Sequence, residues 1–472
     1  MSIPQSIVQY LSARTPNRLR PIAKHIYWRM RSTGIGARML FPPVSPPAPH
    51  ERDDDHVALL EAAADRNAIG IGKAPAGNEI VMLVVSDLRV DPRVEREAVA
   101  LADAGFRVVV YCPDPTGREP APALQWGRNI EINFLHWSAA SFTMRAPGLY
   151  GGQLFRAAAK HRPFAFHAHD LNTALAAYAA ARITGAHLVV DFHEWFSENV
   201  QWDGNGQRYV PHGREWKLPM QELERRCLKE ASAVVTVCDT IADAMARELG
   251  GGRRPSVIRN IPNFELNPTK QYPPLKAQLG LPENQFLLLY QGGVGPSRFL
   301  EPVIEALGIS KRCALVIRGP SIEYFEAHYR GIAARVGAAD RLFLEPPVAS
   351  RDVIAAARSV DAGLYTVLGV GRNFMYALPN KIFEYMAAGL PVLSASYPEA
   401  RRIVEANDIG LVFEPDSATS IAAAIDRLID NPPLRARFAA NTSSALAGIN
   451  AEGEWQKLIA IYNGLKQRTP AA

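Results

Sequence analysis

Residues 371–396 read GRNFMYALPNKIFEYMAAGLPVLSAS, which is a loop, then a helical pattern, then a short apolar run. Pro379 closes the loop, and the helix is predicted to begin near Asn380. There, unbonded backbone N–H groups and the positive end of the helix dipole favour an anion. Lys381 adds a full cation at that end, and Glu384 follows about one turn later. The stretch favours a nucleotide site, with a diphosphate at the helix start and ribose hydroxyls on the carboxylate. The alternative is an ordinary capped helix with a surface Lys and Glu.

Short apolar runs alternate with helical patterns on both sides of this stretch. In the C-terminal half the runs include FLLLYQGG (286–293), CALVIRGP (313–320) and DAGLYTVL (361–368). In the N-terminal half they include IVMLVVSD (80–87), FRVVVYC (106–112), FAFHAHD (164–170), HLVVDFHE (187–194) and AVVTVC (233–238). Apolar strands linked by helices of about 10–15 residues indicate parallel, doubly wound sheets that are buried on both faces. The sequence therefore predicts two successive α/β domains, with a ligand cleft at the carboxyl ends of their strands.

Breaks in this alternation give the predicted domain boundaries. The stretch around IPNFELNPTKQYPPL is rich in Pro and Asn and lacks periodicity, which is typical of a linker. We predict a basic, Pro-rich extension over 1–77, an α/β domain over 78–264, a linker over 265–284, a second α/β domain over 285–445 and a C-terminal helical segment over 446–472.

The N-terminal extension has a distinctive charge pattern. Its first 50 residues contain seven Lys or Arg and no Asp or Glu, and Ile22, Ile26 and Met30 recur at helical spacing. A proline-rich stretch, FPPVSPPAP, and an acidic cluster, ERDDD, follow. One interpretation is a flexible tail. The other is a basic amphipathic anchor that contacts an anionic membrane.

Composition excludes several classes of protein. The chain has 472 residues, of which 48% are hydrophobic and 21% charged, and a formal net charge of +5. This charge is too mild to indicate nucleic-acid binding. Four scattered cysteines without a C-x-x-C pair favour a reducing compartment and argue against disulfides or structural zinc. No apolar run reaches about 18 residues, and no signal-peptide pattern is present, so we predict a cytoplasmic protein.

The stretch 371–396 resembles the donor-binding signature of the family-4 retaining glycosyltransferases, which have the GT-B fold. It is most similar to the branch whose motif reads P-N-K-x-x-E-Y-M-A-x-G. Members carry two glutamates eight positions apart. Glu384 matches the second, which in the family binds the donor ribose, whereas Tyr376 stands where the first is expected. The resemblance implies two Rossmann-like domains facing a cleft and a C-terminal crossover helix, here carrying Trp455 and Tyr462.

The segment YQGGVGPSRFLEPVIEAL (290–307) resembles the strand, glycine loop and helix that open the family's C-terminal domain. Gly292 and Gly293 would let the backbone approach phosphate closely, although a Gly pair after a strand is also typical of a plain turn. Arg298 lies near the position where the family has a basic residue that contacts the diphosphate.

Three further segments agree with the resemblance. Glu399 in SYPEARRIVE matches an acidic residue that follows the family's next strand and is expected to help bind the donor. The EPP at 345–347 matches the loop that edges the base. In the N-terminal half, SDLRVDPRVEREAVALADAGFRVVV (86–110) resembles the family's opening strand-to-helix segment.

Histidines follow two predicted strands in the N-terminal half. HAHD contributes His167, His169 and Asp170, and DFHE contributes His193 and Glu194. These side chains include enough ligands for a metal, but the ligands would have to converge across two strands. The resemblance implies instead that His193 contacts the donor sugar and that His169, Asp170 and Glu194 lie on the acceptor side. A structural role for the histidines is the third alternative.

The resemblance implies transfer of a sugar from a nucleotide diphosphate-sugar to an acceptor hydroxyl with retention of configuration. Arg298, Lys381 and the helix start would stabilise the charge on the leaving diphosphate, with no metal or other cofactor, and His193 completes the expected catalytic set. The acceptor is expected to be a carbohydrate or a lipid-linked molecule in cell-surface polysaccharide or glycolipid synthesis. Two alternatives are a nucleotide-sugar epimerase of the same fold and a catalytically silent partner protein with the GT-B fold.

Overall fold

The computed structural model describes two compact units of the chain. The N-terminal unit comprises the described residues of 77–199, 212–261 and 451–468, and the C-terminal unit comprises those of 200–211 and 262–449. The described residues are 77–89, 91–113, 124–135, 151–204, 206–249, 253–262, 264, 268, 271–449 and 451–468. The extension over 1–76, with its predicted apolar stripe, lies outside them.

The N-terminal unit is built on a seven-stranded parallel sheet. The strands of this half of the chain are β1 (Glu79–Leu83), β2 (Arg107–Pro113), β3 (Ile130–Leu135), β4 (Ala165–His169), β5 (His187–Phe192), β6 (Val200–Asp203), β7 (Arg208–Pro211), β8 (Ala233–Thr236) and β9 (Ser256–Val257). The sheet order is β3-β2-β1-β4-β5-β8-β9. Its chain order reverses between β1 and β4, and such switch points are where doubly wound sheets bind ligands.

The described residues of this half form five helices that pack around the sheet: α1 (Pro92–Asp103), α2 (Gly151–Ala158), α3 (Leu171–Thr184), α4 (Arg214–Glu230) and α5 (Asp239–Glu248). Local sequence signals explain their ends. The Asp91 side chain caps α1 by accepting from the backbone N–H groups of Arg93 and Val94, and Pro92 occupies the first turn. Gly185 ends α3 in the left-handed conformation.

The C-terminal unit contains a second parallel sheet, with order β12-β11-β10-β13-β14-β15. Its strands are β10 (Phe286–Gln291), β11 (Cys313–Arg318), β12 (Leu342–Glu345), β13 (Ala362–Tyr365), β14 (Val392–Ala395) and β15 (Gly410–Phe413). Its helices are α6 (Leu275–Gln278), α7 (Glu301–Ala306), α8 (Ile322–Arg335), α9 (Val353–Ala357), α10 (Arg372–Tyr376), α11 (Asn380–Ala387), α12 (Pro398–Ala406), α13 (Ala418–Asp430) and α14 (Pro432–Gly448). The switch point lies between β10 and β13. The predicted pair of doubly wound α/β domains is therefore confirmed.

The antiparallel hairpin β6–β7 belongs to the C-terminal unit, although it lies between β5 and α4 in sequence. The Tyr209 ring meets Phe374 of α10 edge to face, with 6.0 Å between ring centroids. The predicted domain over 78–264 includes this hairpin, so the structure differs there. Two four-residue strands do not bury enough surface to stand alone, and this hairpin packs on the unit that supplies its aromatic partner.

The last helix, α15 (Ala451–Arg468), packs into the core of the N-terminal unit. Its apolar face places Trp455, Leu458, Tyr462 and Leu465 in the cluster formed by β1, β2 and α1. The rings of Tyr462 and Phe106 meet edge to face at 5.5 Å. No helix in the described part of the chain is long and apolar enough to span a bilayer.

Candidate active site

A glycine loop follows β10 at the switch point of the C-terminal unit. Gly292 has a φ of +136°, and a Cβ built there would lie 2.4 Å from Cε of Lys381. A Cβ on Gly319 would lie 1.8 Å from the Gly292 carbonyl oxygen. Gly292 requires glycine because of its positive φ, and Gly319 requires glycine because a Cβ there would overlap the backbone. The loop is also held by the Tyr290 hydroxyl, which donates to the Gly293 carbonyl at 2.8 Å.

Helix α11 begins at Asn380, as predicted, and its first residues adjoin this loop. Pro379 precedes it without a side-chain cap, so the first backbone N–H groups have no capping partner among the described side chains. Tyr385 fixes the helix, because its buried hydroxyl donates to the Leu364 carbonyl at 3.1 Å and accepts from the Gln291 amide at 2.9 Å. The helix is thus bonded to β10 and β13 on either side of the switch point.

Two cations, Lys381 and Arg298, lie beside the glycine loop, and neither forms an ion pair with a described carboxylate. Lys381 is half-buried, with its Nζ 5.4 Å from the centroid of the Tyr290 ring. Burial and the nearby Arg298 guanidinium lower the pKa of Lys381 to about 8, with Glu384 acting in the opposite direction. Arg298 lies at the end of the short 3₁₀ turn Pro296–Arg298. Among the described residues, neither cation has a carboxylate within ion-pair distance, so the arrangement favours an anionic ligand.

The other residues predicted to bind the donor differ in how far their side chains are exposed to solvent. Asn380 is exposed, and Tyr376, which ends α10, is partly exposed. Glu384 is half-buried, and burial raises the pKa of its carboxyl although Lys381 opposes this. Glu399 has no exposed surface and pairs with Arg402 in the first turns of α12. In this conformation the Glu399 carboxylate supports its helix and presents no face to a ligand.

The N-terminal unit brings its histidines together at the switch point between β1 and β4. Parallel strands β4 and β5 pair with His169 opposite Asp191, so the residues that follow each strand also meet. The His193 Nε2 atom lies 3.1 Å from Asp191 Oδ2 and 3.2 Å from Nδ1 of His169. Its Nδ1 atom lies 3.4 Å from Asp170 Oδ2. Glu194 is bonded instead to Asn199, whose Nδ2 donates to Oε1 at 2.6 Å.

Asp170 has a strained backbone at this position. Its φ of 63° and ψ of 167° fall in a region that non-glycine residues rarely occupy. Two hydrogen bonds hold it there: its amide donates to the Asp191 carbonyl at 2.8 Å, and its Oδ1 accepts from the His193 amide at 2.8 Å. Strain of this kind persists only where surrounding contacts enforce it, and such residues cluster at functional sites.

Arg93 and Glu97 of α1 also belong to this cluster. The Arg93 guanidinium donates to both oxygens of Asp191 at 2.8–3.0 Å and lies 3.0 Å from Glu97 Oε1. Burial and Asp191 raise the pKa of Glu97 to about 8, although Arg93 opposes this. Sequence reasoning missed both residues, because an Arg and a Glu four positions apart on a helix are typical of an exposed pair.

Four groups of this cluster have ligand atoms within 4.8 Å of one another: Glu97, His167, His169 and Asp191. The metal alternative considered from the sequence drew on His167, His169, Asp170, His193 and Glu194, so the two sets share only His167 and His169. The Arg93 guanidinium already supplies a positive charge to both carboxylates, and the raised pKa of Glu97 favours a proton on that group. We therefore interpret the set as an ion-pair network whose cation is Arg93.

Tyr462 connects this network to the C-terminal helix. Its hydroxyl lies 2.9 Å from Nδ1 of His167, and the His167 ring stacks on His169 with 4.4 Å between centroids. Burial lowers the pKa of His167 to about 4 and that of His169 well below its usual value, so both rings are neutral near pH 7. Side chains in contact thus connect α15, through His167 and His169 of β4, to His193.

Comparison with protein-family models gives two matches. Residues 90–263 match the Glycosyl transferase 4-like domain, and residues 272–444 match Glycosyl transferases group 1. Together the two matches include the histidine cluster, the glycine loop and the start of α11, and they span about three quarters of the chain.

Curated relatives are distant. A D-inositol 3-phosphate glycosyltransferase of Stackebrandtia nassauensis is 24% identical over 79% of this chain and 86% of its own length. An α-D-kanosaminyltransferase of Streptomyces kanamyceticus is 25% identical over 63% of this chain and 76% of its own length. A D-inositol 3-phosphate glycosyltransferase of Thermomonospora curvata is 26% identical over 42% of this chain, and that match spans only 47% of the relative.

Solved structures show the fold. A sucrose-phosphate synthase from Thermosynechococcus elongatus has a TM-score of 0.64 and 16% identity, over 83% of this chain and all of its own. Anabaena HepE in complex with UDP has a TM-score of 0.58 and 17% identity, over 82% of this chain and all of its own. The two Rossmann-like units are thus those of the GT-B fold, as predicted.

Proposed function

We propose that this chain, which belongs to the glycosyltransferases with a 4-like domain followed by a group 1 domain, transfers a sugar from a nucleotide diphosphate-sugar to an acceptor hydroxyl with retention of configuration. Membership of the glycosyltransferases gives the class of reaction. The donor, the stereochemistry and the roles of individual residues are proposed. The observation that supports them is the arrangement of charged groups around Lys381.

The two uncompensated cations are what a nucleotide diphosphate would require. Lys381 and Arg298 share a half-buried position beside the glycine loop, where the Arg298 guanidinium disfavours the charge of Lys381. A bound diphosphate would relieve that repulsion and would also accept from the amides at Gly293 and the start of α11. When the glycosidic bond breaks, negative charge grows on this same group, so fixed cations stabilise the transition state without a metal ion.

Glu384 and Tyr376 would contact the rest of the donor. Glu384 lies one turn into α11, where a carboxylate can accept from two neighbouring ribose hydroxyls. Tyr376, at the end of α10, would face the donor sugar in place of the first of the family's two glutamates. The complexes of HepE with UDP and with UDP-glucose support a nucleotide-sugar donor for this fold.

The acceptor side is assigned to the N-terminal unit. We propose that His193 contacts the donor sugar, and that His169, Asp170 and Glu194 shape the acceptor side. The acceptor would be a carbohydrate or lipid-linked molecule in polysaccharide or glycolipid synthesis at the cytoplasmic face of the membrane. The curated relatives, which are named as a D-inositol 3-phosphate glycosyltransferase and an α-D-kanosaminyltransferase, support sugar transfer as the reaction.

A panel of nucleotide diphosphate-sugars, incubated with and without candidate acceptors, tests this function. Release of nucleoside diphosphate and a glycosylated product that depends on an acceptor supports transfer, and the anomeric configuration of the product tests retention. A changed sugar without an acceptor would identify an epimerase. Binding of the donor without turnover under every condition would identify a silent partner protein.

We expect the affinity for a nucleoside diphosphate to fall as the pH rises above about 8. Because burial and Arg298 lower the pKa of Lys381 to about 8, the free protein loses this cation above that pH. Binding then requires uptake of a proton, so the affinity for UDP or ADP should fall by up to about tenfold per pH unit in calorimetric titrations. Lys381→Arg keeps its charge at higher pH and should bind with little pH dependence. The same dependence in this variant would assign the titration to another group.

The N-terminal extension is expected to bind anionic vesicles reversibly. Each basic residue near such a surface contributes about 1 kcal/mol, and salt screens this attraction. In flotation assays the full-length protein should rise with anionic liposomes at low salt, and a chain that starts at Gly77 should not. Equal behaviour of the two chains, or no binding by either, would show that the extension is a tail.

A further inference from the structure

The surroundings of His193 define its protonation state. A carboxylate oxygen lies opposite each ring nitrogen: Asp191 Oδ2 is 3.1 Å from Nε2, and Asp170 Oδ2 is 3.4 Å from Nδ1. A neutral imidazole has a single N–H group, so either tautomer would direct one lone pair at a carboxylate oxygen. Only the imidazolium ion presents an N–H group to both.

Asp191 is the fixed member of this pair. Its carboxylate is buried, and both of its oxygens accept from Arg93 at 2.8–3.0 Å, so it cannot turn away from the ring. Burial alone would raise the pKa of Asp191, but Arg93 and His193 outweigh it and hold that pKa well below its usual value. Burial raises the pKa of Asp170 to about 7, so Asp191 is the carboxylate that stays ionised through the neutral range.

The groups that face His193 come from every element around it. On α1, β4, β5 and the residues that follow these strands, they are Arg93, Glu97, His167, His169, Asp170, Asp191 and Glu194. Tyr462 of α15 contacts His167, with its hydroxyl 2.9 Å from Nδ1. Burial alone would lower the pKa of His193, but Asp170 and Asp191 outweigh it and raise that pKa to about 9. Since His167 and His169 are neutral, His193 is the charged histidine of this cluster.

We propose that His193 acts as a cation that donates a hydrogen bond to a substrate oxygen, and that Asp191 and Asp170 are the positioning residues that hold it in that form. The inference rests on the proposed function, in which His193 faces the donor sugar. Its side chain is 19% exposed, and Nδ1 is the ring nitrogen with the longer carboxylate contact, so it is the atom proposed to donate to the substrate. The 3.4 Å separation from Asp170 exceeds the length of a good charge-assisted hydrogen bond. An imidazolium has no lone pair, so His193 is not the general base near pH 7.

The charge of His193 can be measured without turnover. In full-length protein labelled with ¹⁵N in the histidine rings, the ring nitrogen shifts separate imidazolium from neutral imidazole, and loss of a signal in His193→Gln assigns the residue. We expect His193 to be an imidazolium at about pH 7.5, with a midpoint near pH 9. A neutral ring at about pH 7.5, or a midpoint at or below the usual value near 6.5, would overturn the proposal.

Asp191→Asn removes the fixed charge and should lower this midpoint by about 1–3 pH units. Asp170→Asn should lower the midpoint less, because the Asp170 side chain is partly exposed. It replaces Asp191→Asn in the test if that variant does not fold, since Asp191→Asn removes the ion-pair partner of Arg93. The control is Asp352→Asn in the C-terminal unit, where the carboxylate is equally buried and accepts from the Tyr272 hydroxyl at 2.9 Å. It should leave the His193 midpoint unchanged. An unchanged midpoint in both Asp170→Asn and Asp191→Asn would show that these carboxylates do not set the charge.

Turnover then tests the role. If His193 is a cationic donor, kcat should fall as the pH rises through the midpoint measured for His193, and His193→Gln should lower kcat with donor KM changed less. A kcat that instead rises through that midpoint would identify His193 as a base and overturn the proposal. Failure of the proposed function is distinguishable, because it would appear as no sugar transfer with any donor while the ring still titrates near pH 9.

Discussion

Lys381→Ala is expected to lower kcat for sugar transfer by roughly 10²-fold or more. This is the scale for losing one preorganised group that stabilises charge in a transition state. The charged form of Lys381 is disfavoured by burial and by Arg298 in the free protein. Its cation is therefore available to the leaving diphosphate and is not engaged in an ion pair that holds the fold.

For the same reason the variant should fold normally. Truncation removes an alkyl chain beside the Gly292 backbone and the Tyr290 ring, but no hydrogen bond of the core. Lys311→Ala, at an exposed position of the same unit, is the matched control and should keep full activity. Steady-state kinetics with a fixed donor measures both, and circular dichroism checks folding. Unaltered kcat in folded Lys381→Ala would remove this residue from the site.

Glu384→Gln is expected to weaken nucleoside diphosphate binding by about 1.5–3 kcal/mol, the range for a hydrogen bond to a charged group. This corresponds to a Kd about 10- to 150-fold higher. Glutamine has nearly the shape of glutamate but replaces one accepting oxygen with a donor, so it cannot accept from both ribose hydroxyls. Calorimetry with UDP and ADP measures the effect without knowledge of the sugar.

The control for this substitution is Glu405→Gln, an exposed glutamate in α12 that pairs only loosely with Arg401 at 3.5 Å. It should bind nucleotide as the wild-type protein does. Equal affinity in Glu384→Gln and wild type would mean that α11 has a structural role alone. Loss of affinity in both variants would point to a general effect on the unit.

Much of the fold follows from local pattern. Continuous apolar runs of five or six residues predicted the buried parallel strands. The position of Pro379 predicted where α11 begins, because a helix start is set by a few neighbouring residues. The histidines were expected at strand ends, and pairing of β4 with β5 places them there.

What the sequence could not indicate depends on contacts between distant segments. Arg93 is separated from Asp191 by 98 positions, and its burial depends on that partner. Tyr462 meets His167 across 295 positions, although as a helix residue it was expected only to pack. Glu399 has the acidic character expected of a donor contact, yet its side chain is fully buried and pairs with Arg402. The hairpin β6–β7 lacks an alternating pattern long enough to stand out.

Helix α15 also constrains the order in which the protein can fold on the ribosome. About 190 residues separate the end of β9 from the start of α15, whose Trp455, Leu458, Tyr462 and Leu465 fill the core of the first unit. At typical rates of about 5–20 residues per second, translation of that interval takes roughly 10–40 seconds. During this time the first sheet is complete but its apolar surface is uncovered. The second domain is therefore synthesised while the core of the first unit still lacks the side chains of α15.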